Sequence, residues 1–307
     1  MKKVLVATDK PFAKVAVDGI REITEKAGFE LVLLEKYTSQ DDFIKAVTDV
    51  DAVIIRSDIA DKAVIDAGKN LKIIVRAGAG YDNIDLEAAK AKGVVAMNTP
   101  GQNSNAVAEL AFGMMVYAAR NNFDGSSGTE LRGKTLGLHA YGNVSRYVAG
   151  IAKGFGREVY AFDPFVDSAP IEKDGVRAVS SLDELYSKCK YVSLHIPANA
   201  QTKKSINFEL LSKMPKGATL INTARKEVID EESLLKIFIE RPDFKYVSDI
   251  EPDCKAEIAG KYPGRFFFSP KKMGAQTSEA NINAGLAAAR QIVNFLEKGD
   301  ITFQVNK

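Results

Sequence analysis

The chain has 307 residues, 46% of them hydrophobic and 27% charged, and its 42 Lys and Arg against 40 Asp and Glu leave a net charge of +2. This is the composition of a globular chain long enough for about two domains, with no bulk field to draw it to nucleic acid or to an anionic membrane surface. Its two cysteines, Cys189 and Cys254, have no metal-ligand spacing, no apolar run approaches ~20 residues, and the apolar part of MKKVLVATDK is too short for a signal peptide, so the expectation is a cytoplasmic protein without metal.

Residues 4–7 read as a short buried strand, followed by helical periodicity over 15–27 and a strand at 30–34. The alternation continues with helix 43–50, strand 52–56, helix 62–67, strand 71–75, helix 86–91 and strand 94–97. Five strands alternating with helices predict a parallel, doubly wound domain that collects ligands at its strand carboxyl ends. Asn98-Thr99-Pro100-Gly101 breaks the pattern, which places one domain at 1–98 with 283–307 and the other at 99–282. Residues 106–120 form a long apolar helix bridging the two, and 121–128 a polar Gly-Ser loop. Strands follow at 191–195, 218–222, 246–249 and 266–269, with helices at 182–188, 208–214, 231–240 and 254–260. Helix 280–297 is read as the return crossing, after which 301–305 rejoins the first domain. The expected fold class is α/β: two doubly wound parallel-sheet, Rossmann-like domains joined by two crossing helices.

Residues 133–163, GKTLGLHAYGNVSRYVAGIAKGFGREVYAFD, carry the chemistry. They read as strand 135–139, a tight turn, a helix marked by Val144, Val148, Ile151, Ala152 and Phe155, strand 158–162 and a terminal Asp163. The dinucleotide fingerprint G-x-G-x-x-G is altered to A-x-G-x-x-S. Gly142 keeps the middle glycine, which lets the backbone approach a pyrophosphate. Ala140 serves in the first position if its φ stays negative, and Ser145 is small enough for the third. Free N–H groups at the helix start, over Tyr141, Gly142, Asn143 and Val144, would receive the phosphates. Asp163 would accept both ribose hydroxyls and repel a 2′-phosphate, and no arginine follows at Pro164 or Phe165, so NAD is expected over NADP.

Several blocks in order then resemble the D-2-hydroxyacid dehydrogenase family, and within it the branch acting on 3-phosphoglycerate. They are RAGAGYDNID (76–85), MNTPGQNSNAVAEL (97–110), ELRGKTLG (130–137), HIP (195–197), INTAR (221–225), SDIEP (248–252) and MGAQTSEAN (273–281), which together span nearly the whole chain. The resemblance implies an NAD-dependent oxidoreductase. It assigns to the cofactor Ala79, Tyr141, Gly142, Asn143, Val144, Asp163, His195, Pro197, Thr223, Ala224, Asp249 and Gly274. It assigns Arg225 to the substrate carboxylate and carbonyl, where a bidentate permanent cation fits, and Glu251 to the family's catalytic glutamate. Here only Ile250 separates Asp249 from Glu251, a shorter spacer than the family's.

The family histidine is missing. Where the family has Pro-His-x-Gly-Ala, this chain has Pro270-Lys271-Lys272-Met273-Gly274-Ala275. Counting back from Gly-Ala puts Lys272 on that position; counting forward from Pro270 puts Lys271 there. Of the two histidines, His139 is expected to pack in its strand and His195 to line the cofactor cleft. A protonated lysine is a competent acid for reducing a ketone, and burial with neighbouring cations would lower its pKa toward a usable base. The expectation is that Lys272 is the acid/base, with Glu251 orienting its ammonium, and that Lys271 helps hold an anionic substrate.

A substrate phosphate needs further cations. Arg56 and Arg76 end adjacent strands of the first domain, and backbone N–H groups from Gly78 to Gly80 would take the carboxylate. The expected activity is interconversion of 3-phosphoglycerate and 3-phosphohydroxypyruvate, a phosphorylated 2-hydroxy/2-keto acid pair of serine biosynthesis. The alternatives are a glyoxylate or hydroxypyruvate reductase, indifferent to the phosphate, and a non-catalytic NAD-sensing interaction protein. Longer members carry a C-terminal serine-binding domain for which no residues remain here, so serine inhibition through one is not expected. A homodimer through helix 106–120 is expected.

Overall fold

The computed structural model describes every residue, Met1–Lys307, as two compact units: Met1–Asn103 with Gln276–Lys307, and Ser104–Ala275. No helix is long and apolar enough to cross a membrane.

The first unit runs β1 Lys3–Thr8, α1 Lys14–Lys26, β2 Glu30–Glu35, α2 Gln40–Ala46, β3 Ala52–Ile55, α3 Lys62–Ala67, β4 Ile73–Arg76, α4 Leu86–Lys92 and β5 Val95–Asn98. Its five strands are parallel, in the order β2-β1-β3-β4-β5. Alternate residues of β1 enter opposite cores, Leu5 and Ala7 one, Val4 and Val6 the other, so both sheet faces are covered. That is why these strands read as unbroken apolar runs. Side chains set the helix starts: Ser39, Asp61 and Asp85 accept from the backbone N–H groups of Asp42, Val64 and Ala88. The helix expected at 43–50 therefore begins earlier, at its Ser39 cap. The return helix Ser278–Lys298 is capped by Thr277 and packs on α1. Residues 301–305 form no strand; Gln304 makes one antiparallel bridge to Met97.

The second unit opens with α5 Ser104–Ala119, followed by β6 Leu136–His139, α6 Asn143–Gly154, β7 Val159–Phe162, α7 Ser168–Lys173, β8 Arg177–Ala178, α8 Leu182–Lys188 and β9 Tyr191–Leu194. It continues with α9 Phe208–Ser212, β10 Thr219–Asn222, α10 Glu231–Glu240, β11 Lys245–Ser248, α11 Lys255–Lys261 and β12 Phe266–Phe268. Seven parallel strands are ordered β12-β11-β10-β9-β6-β7-β8, so the order reverses between β6 and β9. Open α/β sheets bind ligands at the strand carboxyl ends beside such a reversal. The short α7 and β8 carry too few periodic residues to be read from sequence. The apolarity of α5 has a local cause: Ala108, Ala111, Phe112, Met114, Met115, Ala118 and Ala119 are buried in this unit's own core. The apolar residues of α5 expected to form a dimer interface are thus largely spent on this core.

Candidate active site

The chain leaves β6 through Ala140, whose φ is +80, not negative as the sequence reading required. A left-handed conformation costs an L-residue roughly 1–2 kcal/mol, which explains the preference for glycine there. Both ends of Ala140 are pinned: its N–H donates to the Phe162 carbonyl (2.8 Å) and its own carbonyl accepts from Ser145 Oγ (2.7 Å). Ser145, the other altered fingerprint position, thus holds the strained one. Gly142 caps α6 in extended geometry, and a Cβ built on it would meet no atom within 4 Å. The helix start, with Gly142 and Asn143 exposed, is open to a phosphate.

Asp163 Oδ2 accepts from the Tyr141 N–H (2.7 Å) and Oδ1 from the Phe165 N–H (2.8 Å). Each oxygen keeps a lone pair, which is what two vicinal hydroxyls need. Tyr141 is engaged within the fold: its ring is buried, its hydroxyl donates to Asp174 (3.0 Å) and its N–H donates to Asp163. Val144 leans on the same core, so its side chain serves packing.

The two histidines meet at the strand reversal, where the His195 N–H donates to the His139 carbonyl (3.0 Å). His139 is buried with Nδ1 3.1 Å from the Tyr186 hydroxyl, and burial lowers its pKa to about 4. Burial and the neighbouring imidazole lower His195 to about 3. Both are neutral near pH 7. His195 Nε2 and the Thr223 hydroxyl are buried without hydrogen-bond partners, and Pro197 stands exposed beyond β9. Orphaned polar atoms after β9 and β10, an open helix start and a ribose-ready carboxylate together fit NAD.

The second cluster lies past β10, β11 and β12. Lys272 turns inward and Lys271 is exposed. The Lys272 ammonium donates to the carbonyls of Thr223 (3.0 Å) and Ala224 (2.6 Å) and to Asp249 Oδ1 (3.2 Å). Asp249 is 0% exposed and also accepts the Gly274 N–H at Oδ2 (3.2 Å). A side chain at Gly274 would strike that oxygen, at 2.9 Å, so the close approach requires glycine. Burial lowers the Lys272 pKa, against Asp249 and together with Arg225, and burial raises that of Asp249. Three accepting oxygens match the three N–H bonds of an ammonium, so this pocket suits the charged form of the lysine.

Glu251 is elsewhere. Its carboxylate pairs with Lys255 one turn on, and the anion on Lys272 is Asp249. Only Ile250 lies between the two acids, and the chain then runs through Pro252 into α11. Arg225 is exposed, its guanidinium donating to the Ala224 carbonyl (3.1 Å).

Asn222 was not singled out in the sequence. It is fully buried, accepts from the Ala224 N–H (2.9 Å) and donates to the Arg225 carbonyl (3.0 Å) and the Tyr246 hydroxyl (3.2 Å). It folds the turn that aims two carbonyls at Lys272. Its signal was present as an asparagine directly after an apolar strand.

In the first unit, Arg56 is committed to structure. Its Nη1 donates to the carbonyls of Lys10 (2.8 Å) and Pro11 (3.3 Å), and its Nη2 to Asn281 Oδ1 (2.7 Å). Those bonds hold the β1–α1 loop and leave the expected phosphate role little of the fork. Arg76 Nε donates to the Arg56 carbonyl (3.0 Å), and its guanidinium lies where a Cβ on Gly78 would clash. Gly78 has φ +152 and Ala79 beside it is exposed, its carbonyl accepting from Asn98 (2.6 Å).

A doubly wound domain with a phosphate-ready helix start, a ribose carboxylate and an inward cation defines a dinucleotide-dependent dehydrogenase. Residues 116–255 match the family model described as "D-isomer specific 2-hydroxyacid dehydrogenase, NAD binding domain". The chain is 36% identical over 281 residues to a hydroxypyruvate reductase of Thermotoga maritima, covering 86% of this chain and 90% of that one. It is 34% identical over 315 residues to a D-3-phosphoglycerate dehydrogenase of Synechocystis, covering 96% of this chain but 54% of the relative. The crystal structure of NAD+-bound 3-phosphoglycerate dehydrogenase of Entamoeba histolytica superposes with a TM-score of 0.87 at 49% identity, over 100% of this chain and 99% of that one. The chain belongs to the NAD-dependent D-isomer specific 2-hydroxyacid dehydrogenases.

Proposed function

We propose that this dehydrogenase interconverts 3-phosphoglycerate and 3-phosphohydroxypyruvate, with Lys272 in the place of the family histidine. The observation that carries the chemistry is the Lys272 ammonium, held by three oxygens at the carboxyl edge of the sheet, with Arg225 on the adjoining turn. NAD, when bound through the α6 start and Asp163, supplies or accepts the hydride at C2. Arg225 grips the substrate carboxylate and polarises the ketone. Lys272 gives its proton to the C2 oxygen, and in the reverse direction the neutral amine takes it back. Asp249 and the two carbonyls favour the charged amine, which suits a proton donor in the reduction.

The phosphorylated substrate is supported by the naming of the Entamoeba neighbour, which spans the whole chain. The cation proposed for its phosphate is the exposed Lys271. The competing reading, a hydroxypyruvate reductase, is favoured by the Thermotoga relative. Turnover with NADH on 3-phosphohydroxypyruvate and on hydroxypyruvate decides between them. A preference of tenfold or more for the phosphorylated keto acid is expected, and equal kcat/KM on both overturns the choice. NAD binding without turnover of either would leave an NAD sensor instead. A homodimer belongs to the same reading and is tested by sedimentation.

A further inference from the structure

The histidine-to-lysine change puts a different atom in a different place. A lysine amine sits at the end of four flexible carbons, so a general acid there needs partners that fix its direction. The sequence pattern offers Glu251 for that task, but the geometry points to Asp249, and we infer that Asp249 is the residue that positions Lys272 for proton transfer. This rests on the reading of Lys272 as the acid.

Four observations carry it. Asp249 Oδ1 is 3.2 Å from Lys272 Nζ, whereas the Glu251 carboxylate is engaged by Lys255. Asp249 is fully buried and its second oxygen is fixed by the Gly274 N–H, so the carboxylate cannot swing away from the amine. Gly274 lies two residues beyond Lys272, so a single acid ties down both the amine and the backbone of the loop that bears it. Finally, the other two partners of the amine are backbone carbonyls at Thr223 and Ala224, which carry no net charge. The charged groups acting on Lys272 are Asp249 past β11 and Arg225 and Glu227 past β10; Val107 of α5, the apolar neighbour at Gly274, adds no charge. Asp249 is therefore the one anion bonded to the amine, and it sets both its direction and its charge.

The arrangement makes the Asp249–Lys272 pair a unit distinct from the carboxylate–histidine pair that the motif order implies. When Lys272 gives up its proton, the neutral amine has two N–H bonds for three acceptors. Retaining the bond to the ionised carboxylate keeps the nitrogen in place for reprotonation.

The test uses the full-length enzyme and the variants Asp249→Asn, Asp249→Glu and Glu251→Gln. Two readouts are compared: the pH dependence of kcat and KM for 3-phosphohydroxypyruvate with NADH, and the pH dependence of acetic anhydride labelling of Lys272, followed by mass spectrometry without substrate. Asp249→Asn is expected to move the labelling curve and the alkaline limb of kcat to lower pH together. It should cost tenfold or more in kcat with a smaller change in KM. Asp249→Glu is expected to restore the labelling curve toward wild type, and Glu251→Gln to leave it in place. Glu251→Gln and Asp249→Glu keep the test open if Asp249→Asn does not fold. Unmoved labelling in Asp249→Asn, or a shift in Glu251→Gln, overturns the assignment. A labelling shift in Asp249→Asn with an unmoved kcat profile overturns it by a different route: the pair then exists but Lys272 is not the acid, and the reading beneath has failed.

Discussion

Two regions depart from the family pattern, and the protein absorbs the departures differently. At the 140–145 turn the function belongs to the backbone, and the substituted residues hold the geometry between them: Ala140 adopts φ +80 and Ser145 bonds its carbonyl. At the 271–275 loop the proposed function belongs to a side chain, and the lysine there is held by the Thr223 and Ala224 carbonyls and Asp249. A backbone site tolerates substitution at the cost of local strain. A side-chain site tolerates it only where neighbouring acceptors suit the new group.

The largest expected effect breaks the second region. Lys272→Ala should lower kcat by about 10²–10⁴ while NAD binding, measured by fluorescence quenching, stays near wild type. Wild-type turnover would remove the lysine from the chemistry. Next comes acid sensitivity beside the turn. Burial lowers the His139 pKa to about 4 in the folded chain from the ordinary 6.5, so the unfolded chain binds more protons below pH 6.5. Stability from this group is complete above pH 6.5 and is lost as pH falls toward 4, by about 3 kcal/mol. Urea unfolding at pH 7 and pH 4 should show that loss, and His139→Gln should reduce it.

Asn222→Ala separates scaffold from chemistry. It strips the Ala224 N–H and Arg225 carbonyl of their partner, so stability should fall by about 1–3 kcal/mol and kcat with it, because the carbonyls on Lys272 lose their aim. The smallest effect tests the first region. Ala140→Gly should relieve the positive φ and raise stability by about 1 kcal/mol, read as a higher Tm, whereas Ser145→Ala should lower it by a similar amount. If Ala140→Gly is destabilising, the strain argument is wrong.

The fold was legible because its signals are local. Strands buried on both faces leave apolar runs such as 52–55, and caps such as Asp61 and Asp85 mark helix starts. The residues expected at the site from sequence, Arg225, Lys272, Asp163 and Gly142, stand past strands β10, β12 and β7 and at the start of α6. What escaped was the pairing. Arg56 reads as a phosphate cation until the return helix brings Asn281 to it, 225 residues away in sequence. Asn222 reads as one letter of a block until its three buried hydrogen bonds are drawn.

The sequence by itself determined the alternation of strands and helices, the location of the dinucleotide turn and the pair of lysines between Pro270 and Gly274, because each depends on residue type and short spacing. Only the tertiary structure decided which carboxylate meets Lys272, which lysine turns inward and what φ Ala140 adopts. Those depend on where separate strands deliver their ends, and a charge or a hydrogen bond is satisfied by whatever lies within about 3 Å, however distant in the chain.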